Sequence, residues 1–157
     1  MKRHPGLRKF SEDHHRGLVQ ARRLRRAAEG EDGEKRREAG RGFLAFWRED
    51  TSAHFRLEED VLLPVYARYG GDLEAEPVVQ TVKDHALIRG LVMELEEQVG
   101  GGEVGAEVLR EAGERLDEHI RLEERRLFPL VEQTLAEEEL QEIGRRVAGK
   151  GEPGSGS

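Results

Sequence analysis

The sequence of 157 residues contains no cysteine. This absence excludes disulfide bonds, thiolate zinc sites, cysteine nucleophiles and cysteine-ligated iron–sulfur clusters. Long uncharged runs are also missing, and the mean hydropathy of -0.75 predicts no transmembrane helix. The first residues are basic but no apolar stretch follows them, so we expect no signal peptide and a cytoplasmic location. Any metal that the chain binds must be held by histidine and carboxylate side chains.

Charge is plentiful, with 26 basic and 33 acidic residues and a net charge of -7. The basic residues concentrate in the first third of the chain, where Arg22, Arg23, Arg25 and Arg26 lie close together. Such a group occurs in nucleic-acid-binding proteins, but the acidic balance of the whole chain favours a solvated helix face. We therefore expect neither a nucleic-acid partner nor a membrane partner.

Glycine and proline divide the chain into helical blocks, and no alternating strand pattern occurs. The first block is expected to begin at a cap near Ser11 and to stop before Gly30. The next three are expected at about 34–69, 77–100 and 104–128, with Pro129 interrupting the fourth. A short fifth helix should follow Thr134, where the spacing resembles a capping box.

These blocks predict an all-α fold, an antiparallel up-down-up-down four-helix bundle with a short extra C-terminal helix. Residues 1–148 should form the bundle as one domain. Residues 149–157 are rich in glycine and serine and are expected to be a disordered tail.

An internal repeat is the most informative feature of the sequence. His54-Phe55-Arg56-Leu57-Glu58-Glu59 matches His119-Ile120-Arg121-Leu122-Glu123-Glu124 at an offset of 65 residues, and each copy leads to a proline. The other two blocks share the dipeptides Asp13-His14 and Asp84-His85. The chain therefore consists of two helical hairpins of one design.

A spacing of four residues places the histidine and glutamate of each repeat on one helix face. His14 and His85 each precede an inward apolar stripe, so all four blocks bring one histidine toward the bundle axis. Burying such a polar cluster without compensation costs several kcal/mol. Two divalent cations bridged by the two carboxylates would remove that cost, and imidazole suits iron, zinc, copper or nickel.

These motifs resemble the hemerythrin-like (HHE cation-binding) family over about residues 5–147. The resemblance implies a non-haem di-iron centre with an oxo or hydroxo bridge in a four-helix bundle. Transferred to this sequence, His14 and His54 would bind one iron, and His85 and His119 the other. Glu58 and Glu123 would bridge both ions.

The sequence also departs from the oxygen-carrying members of that family. Their fifth histidine falls at Arg89, and their longer fourth motif ends in aspartate where this chain has His-x-x-x-Glu. The set of four histidines and two glutamates is closer to the di-iron proteins that repair iron–sulfur centres. Those proteins carry a cysteine-containing N-terminal segment, whereas this sequence contains no cysteine.

Several neighbouring residues have open roles at this point. His15 is either a fifth ligand or, as we favour, a residue that supports the ligands or faces solvent. Glu59 and Glu124 follow the bridging residues and are expected to support the ligands or to be solvated. Asp13 and Asp84 are most simply residues in the first turn of a helix, where an acidic side chain interacts favourably with the helix dipole. His4 is expected to be a mobile terminal residue.

The resemblance implies binding of O2 or a related small oxidant, such as NO or peroxide, in oxygen or redox sensing or storage. We expect a binding protein more than a catalyst, a monomer or weak homo-oligomer with an unspecified redox partner. A di-iron enzyme stays open as an alternative, either reducing peroxide or NO, oxidising ferrous iron or handling iron for repair. A metal-dependent regulatory module is a further alternative.

Overall fold

The computed structural model describes residues 2–151, which are helical and contain no β-strand. A 3-10 turn at Pro5–Leu7 precedes five helices within these residues. Their bounds are Arg8–Glu29 for α1, 33–68 for α2, Glu76–Gly101 for α3, 106–134 for α4 and Glu137–Gly151 for α5. None of these helices is both long and apolar enough to span a lipid bilayer. The predicted all-helical class is confirmed.

Helices α2 and α4 each contain π-helical turns, at Trp47–Thr51, Glu58–Leu62 and Glu123–Leu127. Pro64 follows the second of these turns and Pro129 the third. A proline lacks an N–H and its ring clashes with the carbonyl four residues earlier. The wider π turn accommodates the ring without ending the helix. The expected interruption at Pro129 is therefore wrong, because α4 continues to Thr134.

The helix ends differ from the sequence prediction in local detail. α1 begins at Arg8, directly after the 3-10 turn, and Ser11 lies inside it. Thr134 ends α4, and its hydroxyl donates to the carbonyl of Leu130. Ala136 instead precedes α5, where its N–H donates to Glu139 Oε1 at 2.8 Å. The first three residues of the predicted tail are the end of α5, and residues 152–157 lie outside the described part of the chain.

The apolar core consists of two clusters. The Tyr66 cluster contains Leu7, Phe10, Val61, Leu62, Leu63, Val65, Tyr66, Val78, Leu127, Phe128, Val131, Leu135, Leu140, Ile143 and Val147. The Phe43 cluster contains Ala21, Leu24, Ala28, Phe43, Leu44, Phe55, Ile88, Val92, Leu95, Val104, Val108, Leu109, Ala112, Leu116 and Ile120. α1 begins in the Tyr66 cluster and ends in the Phe43 cluster, and α2 begins and ends in the reverse order. α3 repeats the order of α1, and α4 repeats that of α2. α5 covers only the Tyr66 cluster, with Leu140, Ile143 and Val147. The middle of each of the first four helices therefore lies between the two clusters.

Candidate metal centre

Four histidines and two glutamates form a polar layer between the two apolar clusters. They are His14 on α1, His54 and Glu58 on α2, His85 on α3, and His119 and Glu123 on α4. Both glutamates are fully buried, and the histidines are 1% to 6% exposed. The structure thus brings together the six residues that the repeat and the family resemblance singled out.

The Nε2 atoms of all four histidines point toward the two glutamates. His14 Nε2 lies 2.8 Å from a Glu123 oxygen, and His85 Nε2 lies 2.9 Å from a Glu58 oxygen. His54 Nε2 is 3.2 Å from Glu58 Oε2. His119 Nε2 is 3.2 Å from Glu123 Oε2. The two halves of the repeat therefore contribute equivalent contacts to one centre.

The Nδ1 atoms face outward, and each meets a second carboxylate. Asp13 lies 3.1 Å from His54 Nδ1, and Asp84 lies 3.0 Å from His119 Nδ1. A carboxylate accepts, so each Nδ1–H donates to its outer carboxylate, and Nε2 can offer its lone pair to a metal once it has released its own proton. The helix-dipole interpretation missed this role of Asp13 and Asp84. Their repeated Asp-His dipeptides were the signal, although each aspartate contacts a histidine on another helix.

Glu124 and Glu59 complete the outer set of carboxylates. Glu124 lies 2.8 Å from His14 Nδ1, and Glu59 lies 2.6 Å from His85 Nδ1. Ser11 donates to Glu124 at 2.7 Å, and Arg89 donates to Glu59 at 2.7 Å. Arg89, at the position of the carriers' fifth histidine, therefore holds an outer carboxylate in place.

Four buried atoms at the centre have no hydrogen-bond partner among residues 2–151. They are His54 Nε2, His119 Nε2, Glu58 Oε2 and Glu123 Oε2. Buried polar atoms that form no hydrogen bond are costly and rare in proteins, and here they meet only as ion pairs at 3.2 Å. The candidate ligand atoms form two groups, and the atoms of each group lie within 4.8 Å of one another. One group contains His14 and His54, the other contains His85 and His119, and both contain Glu58 and Glu123. Nitrogen and oxygen donors of this kind fit two adjacent transition-metal ions.

Comparison with known proteins adds an independent observation. The family model of the hemerythrin HHE cation-binding domain matches residues 6–131, well over half of the chain. The chain belongs to this family. Searches of curated proteins and of solved structures return no match to it. The matched residues of the HHE domain span α1 to most of α4 and include the whole histidine–glutamate cluster.

Electrostatics in the HHE domain favour the charged forms of His54, His119 and Glu123 when no metal is bound. Burial opposes a charge on His119, but the attraction of Glu123 and the bond to Asp84 outweigh it and raise the pKa of His119 to about 10. The pKa of His54 is also raised, against burial, by Glu58 and Asp13. Burial likewise opposes ionisation of Glu123, yet His119 holds the pKa of Glu123 well below its usual value.

A small cavity lies beside the cluster, between α1, α2 and α4. The centre of a water-sized molecule can occupy a volume of about 20 Å³ inside it. The histidines at its edge are His14, His54 and His119. Half of the remaining lining is apolar side chains, namely Phe46, Phe55, Leu116 and Ile120, and the rest is Gly17, Asp13, Asp50 and Thr51. One water needs roughly 10–15 Å³ by this measure, so the cavity fits a molecule of one or two heavy atoms.

The two remaining histidines lie outside the cluster. His15 is exposed on α1 and belongs to neither group of candidate ligands. The sequence predicted that His4 is a mobile terminal residue. In the structure, His4 instead attaches the N-terminal segment to the rest of the domain. Its Nε2 lies 2.9 Å from a Glu137 oxygen on α5, and its backbone N–H donates to Glu132.

Proposed function

We propose that this HHE domain is a non-haem di-iron protein that binds O2 or a related small oxidant for sensing or storage. The observation that carries the proposal is the sharing of Glu58 and Glu123 by two groups of candidate ligands. Two buried carboxylates between two pairs of imidazoles would allow Glu58 and Glu123 to hold two ions in one centre. The donor types suit several metals, and membership of the family favours iron.

We infer an antiparallel up-down-up-down arrangement for the first four helices. It is supported by the alternation of the helices between the Tyr66 and Phe43 clusters. In such a bundle every helix presents its midpoint at the same height. One histidine from each helix then reaches the same layer, which is what a two-ion centre requires.

The cavity supports a small ligand rather than an organic substrate. Phe55 and Ile120 are buried at its wall and exclude bulk water from the histidines. A reduced iron pair would supply electrons to O2 in this position. The residues of the chain would hold the ligand in this space and keep each Nδ1–H donating to its carboxylate, which fixes the orientation of the four rings.

Metal content and optical spectra test this proposal. The purified protein should take up two iron ions per chain, and Glu58→Ala and Glu123→Ala should each lose one or both. Glu114→Ala, an exposed glutamate on α4, serves as the matched control and should retain both. If either bridging variant keeps two tightly bound ions, the bridging assignment is wrong.

Stopped-flow mixing of the reduced protein with O2 distinguishes the binding protein from an enzyme. A visible charge-transfer band that forms with O2 and disappears when O2 is removed supports reversible binding. Rapid decay of the band with catalytic turnover would replace the proposal with the di-iron enzyme. Absence of any O2-dependent spectral change in the iron-loaded protein would favour the regulatory module.

A further inference from the structure

Helix α3 has an apolar outer face as well as an apolar inner face. Within residues 2–150, six large hydrophobic side chains are exposed, and five of them lie on α3 or in the turn before it. These five are Leu73, Val79, Val82, Leu87 and Met93, which are 38% to 63% exposed. Apolar side chains on the outer face as well as the inner face of a helix are typical of one that is covered on both faces. The outer face of α3, defined as Val79, Val82, Lys83, Ala86, Leu87, Gly90, Met93, Glu94 and Glu97, therefore packs against no other helix of the described chain.

Gly90 lies in the middle of this face, and packing within the chain does not explain it. A Cβ built at Gly90 meets no atom within 4 Å. A glycine inside a helix costs roughly 0.5–1 kcal/mol relative to alanine. Ala86, one turn earlier, is also exposed. Two small residues at the centre of an apolar face allow another helix to approach closely, because interaxial distance depends on the side chains at the contact.

Two unpaired charges flank Gly90 at equal separations. Lys83 and Glu97 lie seven residues before and after it, on the same helix face. Neither side chain forms an ion pair with any residue of the described part of the chain. Each is about 10 Å from Gly90 along the helix axis, given the rise of 1.5 Å per residue. The face thus carries opposite charges at equal distances from a small central residue.

We propose that the outer face of α3 binds the same face of a second copy of this chain, in an antiparallel helix pair. A two-fold axis near Gly90 would place Lys83 opposite Glu97 of the partner subunit, and Glu97 opposite the partner subunit's Lys83. An isologous contact requires a surface that is complementary to itself, and this charge arrangement has that property. The small residues form the closest contact, and the exposed apolar side chains surround it.

An apolar groove extends this face toward α2. It has a volume of about 480 Å³ and is bordered by Glu59 and Lys83. Its apolar walls are Leu63, Pro64, Ala67, Leu73, Val78, Val79 and Val82. Pairing across α3 would cover the end of this groove and shield Glu59, which holds His85. A contact formed mainly by one helix from each subunit is small, so we expect it to bind at micromolar concentrations.

Sedimentation of the full chain tests the dimer without using metal or activity as a readout. The native protein should change from monomer to dimer between about 1 µM and about 500 µM. Gly90→Glu should raise the dissociation constant about tenfold or more, because the new side chain blocks the close contact. The fold should persist, since the space around Gly90 is open. Gly42→Glu is the matched control, as Gly42 is exposed, mid-helical and equally open, and it should dimerise normally.

Charge reversal provides a second test that does not depend on bulk. Lys83→Glu should weaken the dimer about tenfold, and the double variant Lys83→Glu with Glu97→Lys should restore it. A native protein that stays monomeric at about 500 µM overturns the proposal. So does a dimer that survives Gly90→Glu, or a double variant no better than the single one. Metal binding can succeed or fail independently of these results.

Discussion

At the level of single residues, the two nitrogens of each cluster histidine have different tasks. Nε2 points to a buried glutamate, and Nδ1 donates to an outer carboxylate, as in His119 between Glu123 and Asp84. An outer carboxylate selects the tautomer, orients the ring and increases the basicity of the inner nitrogen. The outer carboxylates therefore prepare the histidines for a metal before one is bound.

Asp84→Asn is predicted to weaken metal binding without disrupting the fold. Asparagine keeps the size of the side chain but removes the charge that lies 3.0 Å from His119 Nδ1. Loss of such a partner lowers metal affinity by roughly 10–100-fold. The affinity can be measured by competition with a chromophoric chelator, with circular dichroism of the metal-free protein as a check on folding.

The exposed Asp60→Asn provides the control for this change, because the nearest cation to Asp60 is Lys150 at 4.0 Å. This variant should bind metal as the native protein does. If Asp84→Asn and the native protein bind metal with equal affinity, the Asp84 carboxylate does not affect metal binding by His119.

At this scale the sequence predicted the inner residues better than the outer ones. The repeat identified His54, Glu58, His119 and Glu123, because chemistry and spacing recur together. It could not assign Asp13 to His54, since that contact joins two helices 41 residues apart in sequence. Which carboxylate reaches which ring depends on how the helices are rotated against each other, and no spacing along one helix contains that information.

At the level of secondary structure, two of the π turns begin at the buried glutamates. Glu58 and Glu123 are the first residues of these turns, and their carbonyls accept from Leu63 and Phe128. Each turn ends shortly before the proline of the repeat, which explains why the same feature occurs twice. In π geometry the carbonyl of Glu124 would accept from the N–H of residue 129, but that residue is a proline and has no N–H. The carbonyl of Glu124 accepts from Arg3 instead, at 2.8 Å. The hydrophobic pattern predicted the helices, but it does not distinguish a π turn from an α turn.

Close contact between α1 and α4 depends on a glycine. A Cβ at Gly113 would lie 2.8 Å from the carbonyl oxygen of Ala21, a backbone atom that cannot rotate away. Gly113→Ala should therefore separate the helices and destabilise the domain by roughly 1–3 kcal/mol. Urea unfolding of the native and variant proteins measures the difference.

Gly42→Ala is the matched substitution for this test. Gly42 also lies inside a helix, but a Cβ there meets no atom within 4 Å. Alanine should stabilise the domain at this position by roughly 0.5–1 kcal/mol. If Gly113→Ala and Gly42→Ala shift the midpoint of urea unfolding in the same direction, the close approach of α1 and α4 does not limit the stability of the domain.

At the level of the whole molecule, a charged layer separates two apolar clusters. Burying ionised groups costs several kcal/mol each, even when they are paired. In the metal-free protein this cost is offset by ion pairs such as His119–Glu123, which are held at 3.2 Å. The stability of the bundle should therefore depend on how this layer is neutralised, and both metal and protons can do so.

Protons and metal compete for the same nitrogens. The pKa of His119 is about 10 in the metal-free fold, above its ordinary value of 6.5. A raised pKa of this kind contributes stability that is complete below pH 6.5 and is lost as the pH rises through 10. Metal binding requires the neutral ring, so its affinity increases over the same range.

Metal removal is accordingly predicted to lower the melting temperature, and to lower it more at higher pH. With metal at about 1,000 times its dissociation constant, the stabilisation is about 4 kcal/mol, which corresponds to about 10 °C for a chain of this size. Between pH 6.5 and pH 9 the metal-free protein should lose stability while metal affinity rises, so the difference between the two melting temperatures should widen. Differential scanning calorimetry of iron-loaded and chelator-treated protein measures both values, and further chelator added to the metal-free protein should change nothing. A difference that stays constant or narrows with rising pH would mean that the histidines of the buried layer do not release protons on metal binding.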